Sequence, residues 1–296
     1  MGRALRLITG GTGFIGNNLT GDLKISHLDC DLLSQSKTKE FLSNNSITEI
    51  IHCAAKHGSF SKMRENHMQY LSGNIRMDTN LIESAANLKI KKLLAVSSVS
   101  TLGENEGTLL EESALLRTNF SQANFGYNAS KRISIDLCKS ANLDFGFNYK
   151  SVLLGNIYGP HDHFEKSGTV VASIISQMIM AQEEKSDLKL FGTGRDLRTF
   201  TYVEDLNPVF NFLMDSQVTS PVIVSSDCQS TISDLAEIIR EVLEFKGKII
   251  FSDSGSSQES IKVTSNKMLQ NLGYLNAWTS LRDGIEKTVQ WVLRSA

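Results

Sequence analysis

The sequence predicts an α/β chain with a doubly wound parallel sheet and a smaller, interleaved C-terminal lobe, on three observations. Short apolar runs alternate with helical patterns from the first residues onward. Several of those runs, such as EIIHCAA and KLLAVSS, are continuously apolar, as in parallel strands covered on both faces. A glycine-rich turn joins the first apolar run directly to the first helical pattern.

Taken in order, Leu5 to Thr9 is the first strand, followed by the turn Gly10 to Gly16, a short helix and a second apolar run near Ile25 to Leu28. Glu49 to Ala55 and Lys92 to Ser98 are buried strands that end in small or polar residues. Between them Ser61 to Leu88 reads as one long helix, with a break expected at Gly73. A second long helix, Phe125 to Leu143, carries Ile133, Leu137 and Cys138 near helical spacing, and the strand Tyr149 to Leu154 follows it, leading to Tyr158-Gly159-Pro160. Beyond Pro160 the pattern loosens into a helix over Val170 to Glu183, an apolar segment at Leu188 to Phe191 and a turn at Gly192 to Gly194. Strand character returns at Pro221 to Ser225 and helix at Ser233 to Glu244, so the later part interleaves with the first sheet. Ser252 to Ser257 reads as a flexible loop, and there is no internal repeat.

Composition narrows the function. The 296 residues hold 30 Lys+Arg against 32 Asp+Glu, 41% hydrophobic residues and 3 prolines, an ordinary soluble globular profile. A net charge of -2 provides no broad basic field, so neither nucleic acid nor a membrane is expected as a partner. Cys30, Cys53, Cys138 and Cys228 lie far apart, without metal-ligand spacing, which points to no metal site, no disulfide framework and a reducing cytoplasm. No apolar stretch reaches spanning length, and Arg6 stands where a myristoylation signal needs Ser or Thr.

Two motifs carry chemistry. Gly10-Gly11-Thr12-Gly13-Phe14-Ile15-Gly16 is a GxxGxxG turn between a strand and a helix, the place where a Rossmann-type sheet lets backbone amides approach a pyrophosphate. Cofactor binding is therefore expected at Gly10, Gly13, Phe14, Ile15 and Gly16. Tyr127 and Lys131 stand four apart on a helix, where an ammonium can lower a phenol's pKa and make it a proton donor or acceptor. An isolated YxxxK pair means little, but this one follows Ser97-Ser98 at a strand end, where such sheets place ligand-contacting groups.

With these motifs in hand, the chain resembles the extended short-chain dehydrogenases/reductases and, within them, the GDP-L-fucose synthases. The resemblance runs nearly end to end, through GGTGFIG, IIHCAAK, the Asn74 region, LLAVSS, NFGYNASKR, NIYGPHDHF, LFGTGRDLRTFTYVEDL and SIKVTSNKML. It implies that Ser97 hydrogen-bonds the substrate's C4 oxygen, that Tyr127 donates the proton, and that Lys131 holds the nicotinamide ribose and tunes Tyr127. It further implies Asp31 near the adenine, Ala54 and Ala55 flanking the cofactor, Asn74 and Asn156 on the cofactor side, and Ser98, Asn156, Arg198 and Lys262 toward the nucleotide sugar. It implies NADPH as cofactor, with NADH not excluded because Lys24 to Asp31 is short and carries no clear ribose signal. It also implies a homodimer built on the two long helices.

The chain departs from that pattern at the acid/base pair that epimerises C3 and C5. Val99 stands in the cysteine position and Thr169 in the histidine position, and Gln177 replaces an arginine near the diphosphate. A valine exchanges no proton, and a threonine hydroxyl is a poor general base. His161 and His163 are read as structural or hydrogen-bonding groups and Cys53 as an inert buried thiol. The leading expectation is an NAD(P)H-dependent 4-ketoreductase of a nucleotide-activated, GDP-linked 4-keto-6-deoxy sugar, with epimerisation lost. The alternatives are the full epimerase/reductase using substitute bases, and a non-catalytic cofactor-bound partner. The expected division is a dinucleotide-binding domain over 1–160, with returning segments near 199–226, and a mainly substrate-binding lobe over 161–296.

Overall fold

The computed structural model describes residues 5–58, 60–103, 109–116, 120, 122–252 and 261–295. In chain order the first part runs β1 (Arg6–Thr9), α1 (Phe14–Asn18), β2 (Leu23–Ile25), α2 (Gln35–Asn44), β3 (Glu49–His52), α3 (Phe60–Glu65), α4 (His67–Asn87), β4 (Lys92–Ser98), α5 (Phe125–Phe145) and β5 (Asn148–Leu154). The rest runs β6 (Asn156–Tyr158), α6 (Val170–Glu183), β7 (Leu188–Phe191), β8 (Leu197–Tyr202), α7 (Leu206–Asp215), β9 (Val222–Val224), β10 (Gln229–Thr231), α8 (Ile232–Val242), β11 (Ile249–Ser252), β12 (Ile261–Lys262), α9 (Lys267–Asn271) and α10 (Leu281–Ser295).

The main sheet is parallel throughout, in the order β2-β1-β3-β4-β5-β9, and is wound on both faces. Residues adjacent along a strand point to opposite faces. Leu7, Ile50, Leu93 and Ala95 therefore pack under α2, α4 and α5, through Leu42, Leu81, Ala85 and Cys138. Ile8, Ile51, Leu94 and Val96 face the other way, onto α7 and α9 through Val209, Phe210, Leu213 and Leu269. Continuous apolar runs suit such strands because neither face meets water.

The remaining strands build smaller sheets, β10-β8-β12 with β6 against β8, and β11 against β7. Their core joins Ile175 and Met178 of α6, Phe200 and Tyr202 of β8, Leu235 and Ile239 of α8, and Ile285 and Val289 of α10. β9 crosses back to pair with β5 in the main sheet.

Three sequence expectations change. The second apolar run ends at Ile25, and Leu28 lies outside it, 86% exposed. β3 stops at His52, because Cys53 donates to Thr9 O and the chain then turns away toward the glycine turn. The long helix breaks at Asn66 and not at Gly73, which stays helical and buried with the Lys56 side chain packed across it, where a Cβ would sit 2.9 Å from Lys56 Cδ. Of the loop expected over 252–257, everything past Ser252 lies outside the described residues.

The starts of α4 and α5 are pressed together at Gly126, where a Cβ would lie 2.1 Å from the carbonyl oxygen of His67. Main chain on both sides leaves nothing flexible to yield, so Gly126→Ala is expected to cost about 2–3 kcal/mol, read as a lowered midpoint in urea unfolding.

Candidate active site

Strand order reverses between β1 and β3, and in open α/β sheets the crevice beyond the strand ends at such a point is where ligands sit. The glycine turn fills it. Gly10 has φ +66°, and a Cβ there would lie 2.8 Å from Ala54 N; at Gly16 it would lie 2.2 Å from Gly10 O. These two glycines permit close backbone approach. Gly13 differs, since its Cβ would meet only Gly10 O at 3.3 Å and otherwise open space, a cradle that any side chain would fill. No side chain caps α1, and among the described residues the leading amides of Phe14 and Ile15 have no partner. Both side chains pack into the core, so these residues offer a ligand their main chain only. The set fits a pyrophosphate. Ala54 and Ala55, half-buried, follow β3 beside the turn, and Asp31 lies half-buried beyond β2 with Oδ1 accepting from Leu33 N at 3.0 Å.

The neighbouring strand end gathers the polar set. Ser97 closes β4 and its hydroxyl donates to Lys131 O at 3.1 Å, which ties the strand end to α5 one turn past Tyr127. Lys131 is buried, with Nζ donating to Val96 O at 3.0 Å. Asn74 of α4 accepts from Lys56 N at 2.6 Å and donates to Lys56 O at 3.1 Å and to Ser130 Oγ at 3.3 Å. Ser130 in turn donates to Tyr127 O at 2.7 Å, so the Asn74 amide is a brace that sets α5 against the loop after β3. Ser98 is occupied locally, accepting from Ser100 N and Ser100 Oγ.

Beneath them lies a buried polar chain. Thr9 Oγ1 accepts from Ala54 N and meets His52 Nδ1 at 2.6 Å, and His52 Nε2 meets Asp78 Oδ1 at 2.8 Å. Asp78 Oδ2 has no hydrogen-bond partner among the described residues. Burial alone would raise the Asp78 carboxyl, but the charge of Lys131 and the bond from His52 outweigh it and hold the pKa below the usual carboxylate range.

Tyr127 departs from the sequence expectation. Burial, reinforced by the charge of Asp78, raises its phenol above the ordinary value, where an ammonium beside it was expected to lower it. Lys131 has its ammonium on Val96 O and its charge felt at Asp78, so the phenol keeps its proton at neutral pH, the state a proton donor requires.

The sequence offers no acid/base pairing for His57, which follows the AAK segment, and the structure supplies a neighbour. The His57 ring stands edge-on to Tyr127 with centroids 5.2 Å apart. Although one side of the ring is open to solvent, crowding by protein atoms, the charge of His163 and that of Lys131 lower its pKa. The signal would have been an imidazole two residues past Ala55, at the end of a strand bordering the crevice.

The second-lobe residues are arranged by register. Asn156 Nδ2 donates to Thr199 O at 3.0 Å, joining β6 to β8. Next to Thr199, Arg198 is the direct parallel partner of Lys262 on β12, so the two cations expected toward the substrate stand side by side. Arg198 pairs with Asp196 at 2.9 Å.

The departing positions have other occupations. Val99 packs against an apolar cluster with Leu102, Ile135 and Leu153. Thr169 donates its hydroxyl to Asp162 Oδ2 at 2.5 Å, and Gln177 donates to Ser173 within α6. His161, at φ +65°, meets Asn17 at 3.2 Å and lies against Trp291 with centroids 4.7 Å apart, a tie between the lobes. His163 is exposed. Burial pushes the Cys53 thiol up to about 12, too high for a thiolate at neutral pH. Among the described residues no His/Cys/Asp/Glu group is placed to hold a metal, and no helix is long and apolar enough to cross a membrane.

A glycine turn at the switch point of a doubly wound parallel sheet, with open amides above it, is the architecture of a dinucleotide-binding α/β protein. The sequence pattern of the NAD dependent epimerase/dehydratase family matches residues 6–224, and the chain belongs to that family. It is 28% identical over 302 residues to a GDP-L-fucose synthase of Dictyostelium discoideum, covering 97% of this chain and 94% of that one. Its fold matches a GDP-L-fucose synthetase from Naegleria fowleri bound to NADP, with TM-score 0.92, 24% identity and coverage of 100% and 94%. It also matches a GDP-mannoheptose C4 reductase from Campylobacter jejuni with NADP bound, with TM-score 0.88, 17% identity and coverage of 99% of each chain.

The lowered pKa of Asp78 has a direct consequence. Its charged form contributes stability above the ordinary carboxylate pKa, and that contribution is lost as pH falls through the lower folded value. Asp78→Ala, which leaves Lys131 buried without its countercharge, is expected to cost about 3–5 kcal/mol at neutral pH, and Asp78→Asn to flatten the acid limb of a stability-against-pH curve from urea melts.

Proposed function

We infer that this chain reduces the C4 ketone of a nucleotide-activated, GDP-linked 4-keto-6-deoxy sugar with a reduced nicotinamide dinucleotide, and does not exchange the protons at C3 and C5. The observation that carries this reading is a contrast. Lys131 is tied to Ser97 and to Val96 at the end of β4, with Tyr127 one turn before it on α5, whereas Val99 and Thr169 are committed to an apolar cluster and to Asp162. The names of the relatives, GDP-L-fucose synthase and GDP-mannoheptose C4 reductase, support the GDP-linked ketosugar.

When bound, the dinucleotide supplies a hydride to the C4 carbon. Tyr127 donates its proton to the C4 oxygen as charge develops there, and its raised pKa makes the protonated phenol the resident form. Ser97 turns its hydroxyl from Lys131 O to that oxygen. Lys131 holds the nicotinamide ribose and places a positive charge beneath the site. Gly10, Gly13, Phe14, Ile15 and Gly16 hold the pyrophosphate, with Asp31, Ala54, Ala55 and Asn156 around the rest of the cofactor and Asn74 bracing α5 from behind. Arg198 and Lys262 take the substrate's diphosphate, for which an arginine fork beside a lysine is well suited. The later lobe, over 161–296, closes on the nucleotide sugar. A second copy packs on α4 and α5, where Phe125 and Ile133 are exposed.

A second reading, epimerisation through a substitute base, is favoured by one observation, the contact of the His57 ring with Tyr127.

Tyr127→Phe deletes only the transferable proton, so it is expected to lower kcat about 10²–10⁴-fold in oxidation of the reduced cofactor by a GDP-4-keto-6-deoxy sugar, with dinucleotide affinity unchanged. Lys131→Met is expected to harm both. Retention of most of the turnover by Tyr127→Phe contradicts the assignment. Sedimentation is expected to show a dimer at micromolar concentration, and a monomer there contradicts the helix-paired assembly.

A further inference from the structure

We propose that His57 returns a proton from solvent to Tyr127 after each reduction, as a relay between water and the phenolate. The inference rests on the reduction reading above and concerns the step that must follow it. Once the Tyr127 proton has gone to the C4 oxygen a phenolate stays behind, and the next turnover waits until that oxygen is protonated again.

The buried groups around Tyr127 offer that proton no way in. The phenol takes part in no hydrogen bond among the described residues. Lys131, one turn on, keeps Nζ on Val96 O at 3.0 Å and only 2% of its surface in water, so an ammonium there could not replace from solvent a proton it gave up. Ser97 is buried, with its hydroxyl on Lys131 O. Asp78 of α4 is buried too, and its lowered pKa leaves it no proton to give at neutral pH. Burial and the Asp78 charge raise the phenol's pKa, which makes the phenolate a strong acceptor once it has formed.

His57 reaches both sides. It lies in the loop after β3, its ring edge-on to Tyr127 with centroids 5.2 Å apart, and the residue is exposed to solvent. Its ring nitrogens have no hydrogen-bond partner among the described residues, so no bond fixes the ring in one orientation against the phenol. Desolvation, the charge of His163 from the loop after β6 and that of Lys131 from α5 hold its pKa below that of a free imidazole. At neutral pH the ring is therefore uncharged, with a proton on one nitrogen and a lone pair on the other. The transfer balances from that form. The N–H bond on one nitrogen breaks as the phenol O–H bond forms, while the other nitrogen takes a proton from water and leaves hydroxide in the solvent. The ring ends as its other tautomer, and turning it over restores the first. The contact with Tyr127 then has a task at oxygen and none at carbon.

The test separates the first turnover from those that follow. The protein is loaded with NADPH, mixed rapidly with a GDP-4-keto-6-deoxy sugar and followed by nicotinamide absorbance, alongside His57→Ala and His57→Gln. The first turnover uses the proton already on Tyr127, so both variants are expected to keep the initial burst of NADPH oxidation at the rate of the unsubstituted protein. Their steady-state turnover is expected to fall at least about tenfold, and imidazole added to the buffer to restore it in His57→Ala. A steady state unchanged in both variants overturns the inference and leaves the reduction reading standing. A burst slowed as much as the steady state, with no response to imidazole, shows that His57 only supports the local structure and overturns the relay as well. No NADPH oxidation by the unsubstituted protein overturns both readings.

Discussion

A lysine that keeps only 2% of its surface in water needs an acceptor and a countercharge, and Lys131 has both in Val96 O and Asp78. Asp78 is itself buried and leans on His52, which leans on Thr9, which accepts from Ala54 N. The chain of contacts therefore passes through α5, β4, α4, β3 and β1 and ends beside the glycine turn. Removing any partner strands a buried polar group, so the contacts that make Lys131 tolerable also align Tyr127, Ser97 and the turn. Asn74 adds a second tie by fastening the loop after β3 to the turn of α5 between Tyr127 and Lys131.

Much of this frame was legible in the sequence because burial on both faces leaves continuous apolar runs. Lys92–Ser98, Val170–Glu183 and Leu188–Phe191 fall where the pattern puts them. The failures have physical causes. Gly73 read as a helix breaker, yet it stays inside α4 with Lys56 packed across it, a contact between residues that a local pattern does not relate. The motif spacing placed Lys131 near Tyr127 but gave no sign of Asp78, whose charge raises the phenol from another helix. His57 offers no pairing in the sequence because the loop that brings it to Tyr127 has no sequence periodicity. Arg198 and Lys262 were singled out by resemblance separately, and only the β8–β12 register makes them neighbours.

Reduction and epimerisation ask different things of such a site. Reduction needs one protonated group at the ketone oxygen, and a phenol whose pKa is raised, as that of Tyr127 is, keeps the proton such a group must give. Epimerisation needs groups that both remove and return a proton on carbon, held close to it. Val99 has joined the cluster around Leu102 and Leu153, and Thr169 has spent its hydroxyl on Asp162, a carboxyl that desolvation raises. Cys53 is too deeply buried to ionise near neutrality, and His161 is engaged by Asn17 and Trp291. His57 is the imidazole left in contact with Tyr127, and its lowered pKa would make it a weak base in the same crevice.

The proposed function requires that the proton at the C4 oxygen be handled here and that those at C3 and C5 not be. Solvent exchange tests it most directly. The GDP-4-keto-6-deoxy sugar is incubated with the protein and oxidised cofactor in heavy water, where reduction cannot proceed, and C3 and C5 are read by NMR. The account predicts deuterium at neither carbon above the rate without protein. Protein-dependent incorporation at either carbon contradicts it, and loss of that incorporation in His57→Ala would identify the base.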